Sequence, residues 1–207
     1  MKRTLSVFFA LLLFIAAPVQ SFNWSNIATR LQESSFAIST LEGKIYCTGF
    51  VVDNKRDYAL TADHCMHNRW VEEGGTMVDG VVPEELWGDD ALDVAVLHIP
   101  GIDRPELKPQ FKPARAGQEM GSFGFARESG LKEHFRAGVV SGVEAVVDGL
   151  DGAWTVTDQP FIGGMSGGPV VDTDGKLISM VQRSNSVTGI GRSIQEIWLA
   201  TRSYWKN

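Results

Sequence analysis

The sequence predicts an all-β protein, a sandwich or barrel in two joined halves, as two six-stranded antiparallel barrels would require, with one helix at its C-terminus. Three observations lead there. Short apolar or alternating runs recur from Ser35 to Gln182, bounded by Gly, Pro, Asp or Glu. This is the pattern of sandwiches and barrels rather than of alternating β-α units. The stretch from Pro100 to Gly117 is rich in Pro and charge and carries no period, as a connection between two halves would be. Only after Ser193 does the spacing become helical, with Ile194, Ile197, Trp198 and Thr201 on one face.

Taken in order, residues 1–21 are expected to be an export signal. Lys2 and Arg3 are followed by an almost wholly apolar run from Leu5 to Ala17, and no charge returns until Arg30. That run is shorter than the ~20 residues of a membrane span and fits a signal-peptide core. Val19-Gln20-Ser21 offers small residues for cleavage after Ser21; an uncleaved anchor or a buried strand is the alternative. The remaining domain, 22–207, has about 186 residues, enough to bury about 70% of its unfolded surface without metal or many disulfides.

Trp24, Ile27, Ala28 and Leu31 predict a short helix over 23–32. Strands are expected at 35–39, 46–52 and 58–61, with Glu42-Gly43 as the first turn. Others are expected at 93–99, 120–125, 138–147, 153–156, 168–171 and 177–182.

The formal net charge is −6, and loss of Lys2 and Arg3 makes the mature chain more acidic still. Without basic runs, this argues against nucleic acid as a partner. After signal cleavage no membrane association is expected, and no cofactor is implied. The only cysteines are Cys47 and Cys65, an even pair that reads as one disulfide in an oxidising compartment. The alternative, a metal site of Cys65 with His64 and His67, lacks the paired ligand spacing usual for zinc.

The chemistry centres on Gly163-Gly164-Met165-Ser166-Gly167-Gly168-Pro169. A serine hydroxyl is a poor nucleophile at neutral pH and needs a base and donors for the developing oxyanion. Glycines permit a tight turn that exposes Ser166 and lets backbone N–H groups converge, with those of Gly164 and Ser166 as the expected donors. Read alone, the segment is equally a Gly-rich hairpin turn. Leu60-Thr61-Ala62-Asp63-His64-Cys65 supplies a candidate base at a strand end, held by the adjacent cysteine. Asp93-Val94-Ala95-Val96-Leu97 sets one carboxylate against an apolar strand, where it requires a partner such as the imidazole of His64. His98 and His134 lack such surroundings and are read as structural.

Together these segments resemble the trypsin-like, or chymotrypsin-fold, serine peptidases over roughly residues 35 to 200. The chain order His64, Asp93, Ser166 is that family's order. Thr48-Gly49-Phe50-Val51-Val52 resembles its strand before the histidine, and Cys47 and Cys65 match its disulfide there. Gly138-Val139-Val140-Ser141-Gly142 and Thr157-Asp158 are similar to the bacterial branch, including glutamyl-endopeptidase-like and HtrA-like enzymes. Met165 departs from the Asp or Asn usual before the nucleophile, which implies activity without the zymogen switch of digestive members. Asp63 replaces a small residue and is expected either to raise the pKa of His64 or to face solvent. The residues after Ser193 are too few for a PDZ domain, so a protease domain alone is expected.

The resemblance implies a secreted or periplasmic serine endopeptidase acting on protein or peptide substrates by acyl transfer. A non-catalytic binding protein on the same scaffold is the alternative, and an esterase of another fold conflicts with the triad order. Thr157, Gln182, Arg183 and Ser184 are the expected walls of the substrate pocket. The residue near the position of the trypsin specificity aspartate is Pro160, which argues against a preference for Lys or Arg. Arg183 is either a determinant for acidic substrate residues or a solvated edge charge.

Overall fold

The computed structural model describes residues 23–67, 75–126, 133–147 and 150–205; the expected export signal lies outside them. The first helix, α1 (Trp24–Ser34), begins where the Asn23 side chain accepts the Ser25 N–H at 2.9 Å. Leu31 is its buried anchor, and Trp24 reaches Phe135 with ring centroids 5.7 Å apart.

Six strands follow: β1 (Ser35–Ser39), β2 (Ile45–Asp53), β3 (Tyr58–Thr61), β4 (Met77–Val78), β5 (Glu84–Asp89) and β6 (Val94–His98). They form one sheet in the order β4-β1-β2-β3-β6-β5. The second half contains β7 (Glu119–Gly124), β8 (His134–Val147), β9 (Leu150–Thr157), β10 (Pro169–Val171), β11 (Leu177–Ser184) and β12 (Gly189–Ser193). These close into a barrel in the order β10-β11-β12-β9-β8-β7. The described pairings are antiparallel in both halves. The two expected six-stranded antiparallel barrels are thus both present, and they differ in closure. Among the described residues only the second closes, while the first is a six-stranded half-barrel with β4 and β5 at its edges.

Residues 99–118 join the halves without a regular strand and are pinned on the way. Leu107 N–H donates to Val51 O at 2.9 Å, and Gln110 N–H to Leu177 O at 2.7 Å. The cores follow the sequence pattern. Phe36, Phe50, Leu60, Val96 and Leu97 are fully buried in the first half, as are Met120, Val140, Val170 and Ile178 in the second. Each such side chain contributes about 1.5–3 kcal/mol relative to exposure.

Three strands were not expected from sequence. Two-residue β4 is too short to carry a period. β5 is an acidic, half-exposed edge without clean alternation. β12 holds two glycines that read as a turn, but Gly191 is needed for close approach, since a Cβ there would sit 2.2 Å from Ser179 Oγ. The single expected C-terminal helix is two, α2 (Ile194–Ala200) and α3 (Arg202–Trp205). The break falls at Thr201, whose hydroxyl donates to Ile197 O at 2.7 Å and accepts from the Trp205 indole at 2.8 Å.

Candidate active site

His64 sits in a 3-10 turn, Asp63–Cys65, directly after β3. Its neighbour Cys65 is joined to Cys47 of β2, with Cα atoms 6.0 Å apart, so the turn is stapled to the sheet. Asp93 precedes β6 and holds a left-handed backbone with φ +55°, a conformation Asp tolerates better than most residues. From there its Oδ1 accepts both the His64 backbone N–H, at 3.0 Å, and Nδ1, at 2.9 Å; Oδ2 lies 3.0 Å from Nδ1. Burial pushes the Asp93 carboxyl up, but hydrogen bonds and charge from His64, with the Arg183 cation nearby, bring it below the usual range. A carboxylate facing Nδ1 calls for a proton there, which leaves Nε2 as the basic nitrogen.

Ser166 lies in the Gly-rich loop between β9 and β10. Met165 and Gly167 donate their N–H groups to Ile162 O, at 3.0 Å, and Val181 O, at 2.7 Å. The N–H groups of Gly164 and Ser166 have no protein acceptor among the described residues, which leaves both as donors to a ligand. Gly164 has φ +99°, and its carbonyl is held by the Thr48 hydroxyl at 2.8 Å, itself an acceptor from Phe125 N–H at 2.9 Å. The Ser166 hydroxyl donates to Gln182 O at 3.4 Å, a long bond that leaves it free to turn.

The serine loop is clasped against the half that carries His64. Thr48 N–H donates to Ser166 O at 2.9 Å, and Cys65 Sγ lies 3.8 Å from that same oxygen. Gly167, at φ +80°, fits because a Cβ there would stand 2.3 Å from both Thr48 O and Thr61 Oγ1. From the other side, the Gln182 amide donates to Leu92 O at 2.7 Å and Asp93 O at 2.8 Å. Arg192, fully buried, donates to Leu92 O at 3.2 Å and Ala91 O at 3.1 Å. It lies 3.7 Å from the Trp154 ring centroid and pairs with Glu196 at 3.1 Å.

A cavity of about 280 Å³ opens beside Ser166, with Phe161, Ile162 and Val181 on its apolar side and Gln182, Arg183 and Ser184 on its polar side. Three of the four expected pocket residues line it. Thr157 does not: it is buried beneath, its hydroxyl donating to Gln159 O at 2.9 Å. Asp63 departs from one expectation made for it. It does not face solvent but is buried, with Oδ2 3.2 Å from His67 Nδ1, while His67 Nε2 lies 3.5 Å from Glu85. Burial raises the Asp63 carboxyl, and although burial alone lowers His67, Glu85 and Asp63 raise it overall. Cys47, His64 and Cys65 come close enough to suggest a metal, but both sulfurs are joined in the disulfide and neither is a thiolate.

Two residues that shape this site were missed in the sequence. Thr48 was read only as part of a strand. Arg192 sat in a Gly-Ile-Gly-Arg-Ser run that resembles a solvated turn, and nothing local signals that its guanidinium is buried.

Residues 47–180 fit the family model for the trypsin-like peptidase domain. Among curated proteins, the Serine protease Do-like HtrA of Bacillus subtilis (strain 168) is 31% identical over 164 residues. That alignment takes in 70% of this chain but only 35% of the relative's length. The active form of the Rv3671c protease of M. tuberculosis superimposes with a TM-score of 0.72 at 18% identity, covering 97% of this chain and 93% of that one. The HtrA-type protease AlgW with a decapeptide gives 0.72 at 15% identity, covering 87% of this chain and 67% of the other. These likenesses and the two-half β architecture identify the chymotrypsin fold. The chain belongs to the trypsin-like peptidase domain family, with HtrA-type proteases among its relatives.

Proposed function

We propose that His64, Asp93 and Ser166 are the triad of this endopeptidase and that the chain cleaves peptides through an acyl-enzyme. The observation that carries the reading is the His64–Asp93 pair, two hydrogen bonds from one residue to one carboxylate oxygen, on the flank of the clasped Ser166 loop. With Nδ1 oriented by Asp93, Nε2 takes the Ser166 proton as the hydroxyl attacks the scissile carbonyl, then returns it to the leaving amine. The Gly164 and Ser166 N–H groups hold the tetrahedral oxyanion, each worth about 3–4 kcal/mol. Water then attacks the ester by the same proton route. Gln182, Arg183 and Ser184 line the substrate cavity.

A fluorophosphonate probe with mass mapping, together with turnover of a peptide library, tests this reading. The expected result is labelling at Ser166, and a loss of about a million-fold in turnover for Ser166→Ala or His64→Ala. Wild-type turnover by Ser166→Ala rules out the triad.

We also propose that the domain works outside the cytoplasm, with residues 1–21 removed on export. The Cys47–Cys65 disulfide supports an oxidising compartment. Among the described residues no helix is long and apolar enough to cross a membrane. N-terminal sequencing of the protein recovered from the cell exterior or periplasm should begin near Phe22; recovery only from the cytosol with residue 1 retained overturns the proposal.

A further inference from the structure

Trypsin-like peptidases choose substrates by what lines the cavity beside the nucleophile, and here that lining carries a cation. Arg183 shares the cavity of about 280 Å³ with Ser166. It is exposed, and among the described residues no carboxylate pairs with it. By contrast Arg192, the buried neighbour on the same ring, is paired with Glu196 at 3.1 Å. Arg183 instead lies over the Trp154 ring, 5.8 Å from its centroid, a cation-π contact that holds the head group at the cavity wall. Its charge is near enough to the proposed triad to help lower the Asp93 carboxyl. In a chain of net charge −6, a lone cation at the substrate cavity is not background.

The remaining polar lining suits the same ligand. Ser184 and Asn185 flank Arg183 on the cavity wall, and neither brings a negative charge. A carboxylate needs a cation or several donors to leave water without penalty, and here Arg183 supplies the cation, while the Ser184 hydroxyl already donates to Asn185 O and Thr188 O at 3.0 Å. Phe161, Ile162 and Val181 cover the aliphatic stem that a glutamate carries below its head group. A lysine or arginine of the substrate meets like charge at the same place.

We infer that Arg183 selects substrates bearing a carboxylate side chain in the residue that occupies this cavity. The inference rests on the peptidase reading of the site. Guanidinium and carboxylate meet at a partly solvated wall, so the gain is modest and salt-dependent rather than absolute.

The test is a positional peptide library in which Glu, Gln and Lys are exchanged at each position on the amino side of the scissile bond. The wild type is compared with Arg183→Gln and Arg183→Glu, and the Glu-to-Gln ratio of kcat/KM is read within each variant. The expected wild-type ratio at one position is about 10, shrinking as salt rises, near 1 in Arg183→Gln and inverted toward Lys in Arg183→Glu. A ratio that survives unchanged in Arg183→Gln, or no acid preference at any position, overturns the inference. Should no peptide be turned over, the peptidase reading fails by itself. The same Glu and Gln peptides are therefore also titrated calorimetrically into the Ser166→Ala chain, with and without Arg183→Gln. Tighter binding of the Glu peptide, lost with Arg183, supports the inference without turnover, and equal binding of the two overturns it.

Discussion

The two halves of the molecule contribute to the site in different ways. In the first, everything that matters is local to one sheet: β3 ends in the turn of His64, β6 begins after Asp93, and β3 and β6 are paired neighbours. Two adjacent strands thus suffice to bring imidazole and carboxylate within 2.9 Å. In the second half, Ser166 sits on a loop of glycines that its own half holds through the Met165 and Gly167 N–H groups. The loop is also gripped from across the boundary, through Thr48 to Ser166 O and Gly164 O and through Gly167 against Thr61. The return contacts run from β11 and β12, where Gln182 and Arg192 hold the carbonyls of residues 91–93. The proposed base and its carboxylate are assembled within a sheet, whereas the proposed nucleophile also depends on contacts between two halves.

The contrast is testable, and the largest effect should come from the pair. Asp93→Asn keeps the shape but presents a donor to Nδ1 and favours the wrong tautomer, so kcat should fall about 10⁴-fold with the fold intact. A loss below tenfold would mean that the pair does not orient the base.

Next come the contacts between the halves. Arg192→Ala leaves buried carbonyls and Glu196 without their cation, and should cost about 3–5 kcal/mol in urea unfolding. Arg192→Met, which keeps the volume, should cost clearly less. Equal stability of all three chains would remove Arg192 from the junction.

A subtler cut is Thr48→Val, which is nearly isosteric but releases the Gly164 carbonyl. Because that carbonyl belongs to a proposed oxyanion donor, kcat should drop about tenfold with KM little changed. A rise in KM alone would point to binding rather than to the oxyanion site.

The smallest effect concerns acid stability. Asp93 is held below the ordinary carboxylate range, so its contribution is present above the unfolded value, about pH 4, and is lost as pH falls through its lower folded value. The melting temperature of Asp93→Asn should therefore decline less than wild type between about pH 4 and pH 2. Parallel profiles would show that Asp93 carries no such linkage.

Legibility followed the same division. β2 and β6 were readable because each is a compact apolar run, almost wholly buried along its length. His64 and Asp93 were readable because each stands at the end of such a run. β5 was not, since an acidic edge strand has one side in water and little pattern to display. β12 was hidden because Gly189 and Gly191 have the composition of a turn. Thr157 shows the converse error: a residue in the right segment was given to the cavity, although strand alternation turns its side chain beneath the wall.

By itself, the amino-acid sequence determined the β class, the chain order of the three reactive groups, the cysteine pair and the glycine loop, because each is written in neighbouring residues. Only the tertiary structure decided that the first half does not close among the described residues, that Arg192 is buried, that Asp63 turns to His67, and that Thr48 grips the serine loop. Those outcomes depend on which distant backbone carbonyl or carboxylate meets each donor as the halves close. No local pattern encodes such a meeting, because the cost of leaving a buried polar group unmatched is settled across the whole fold.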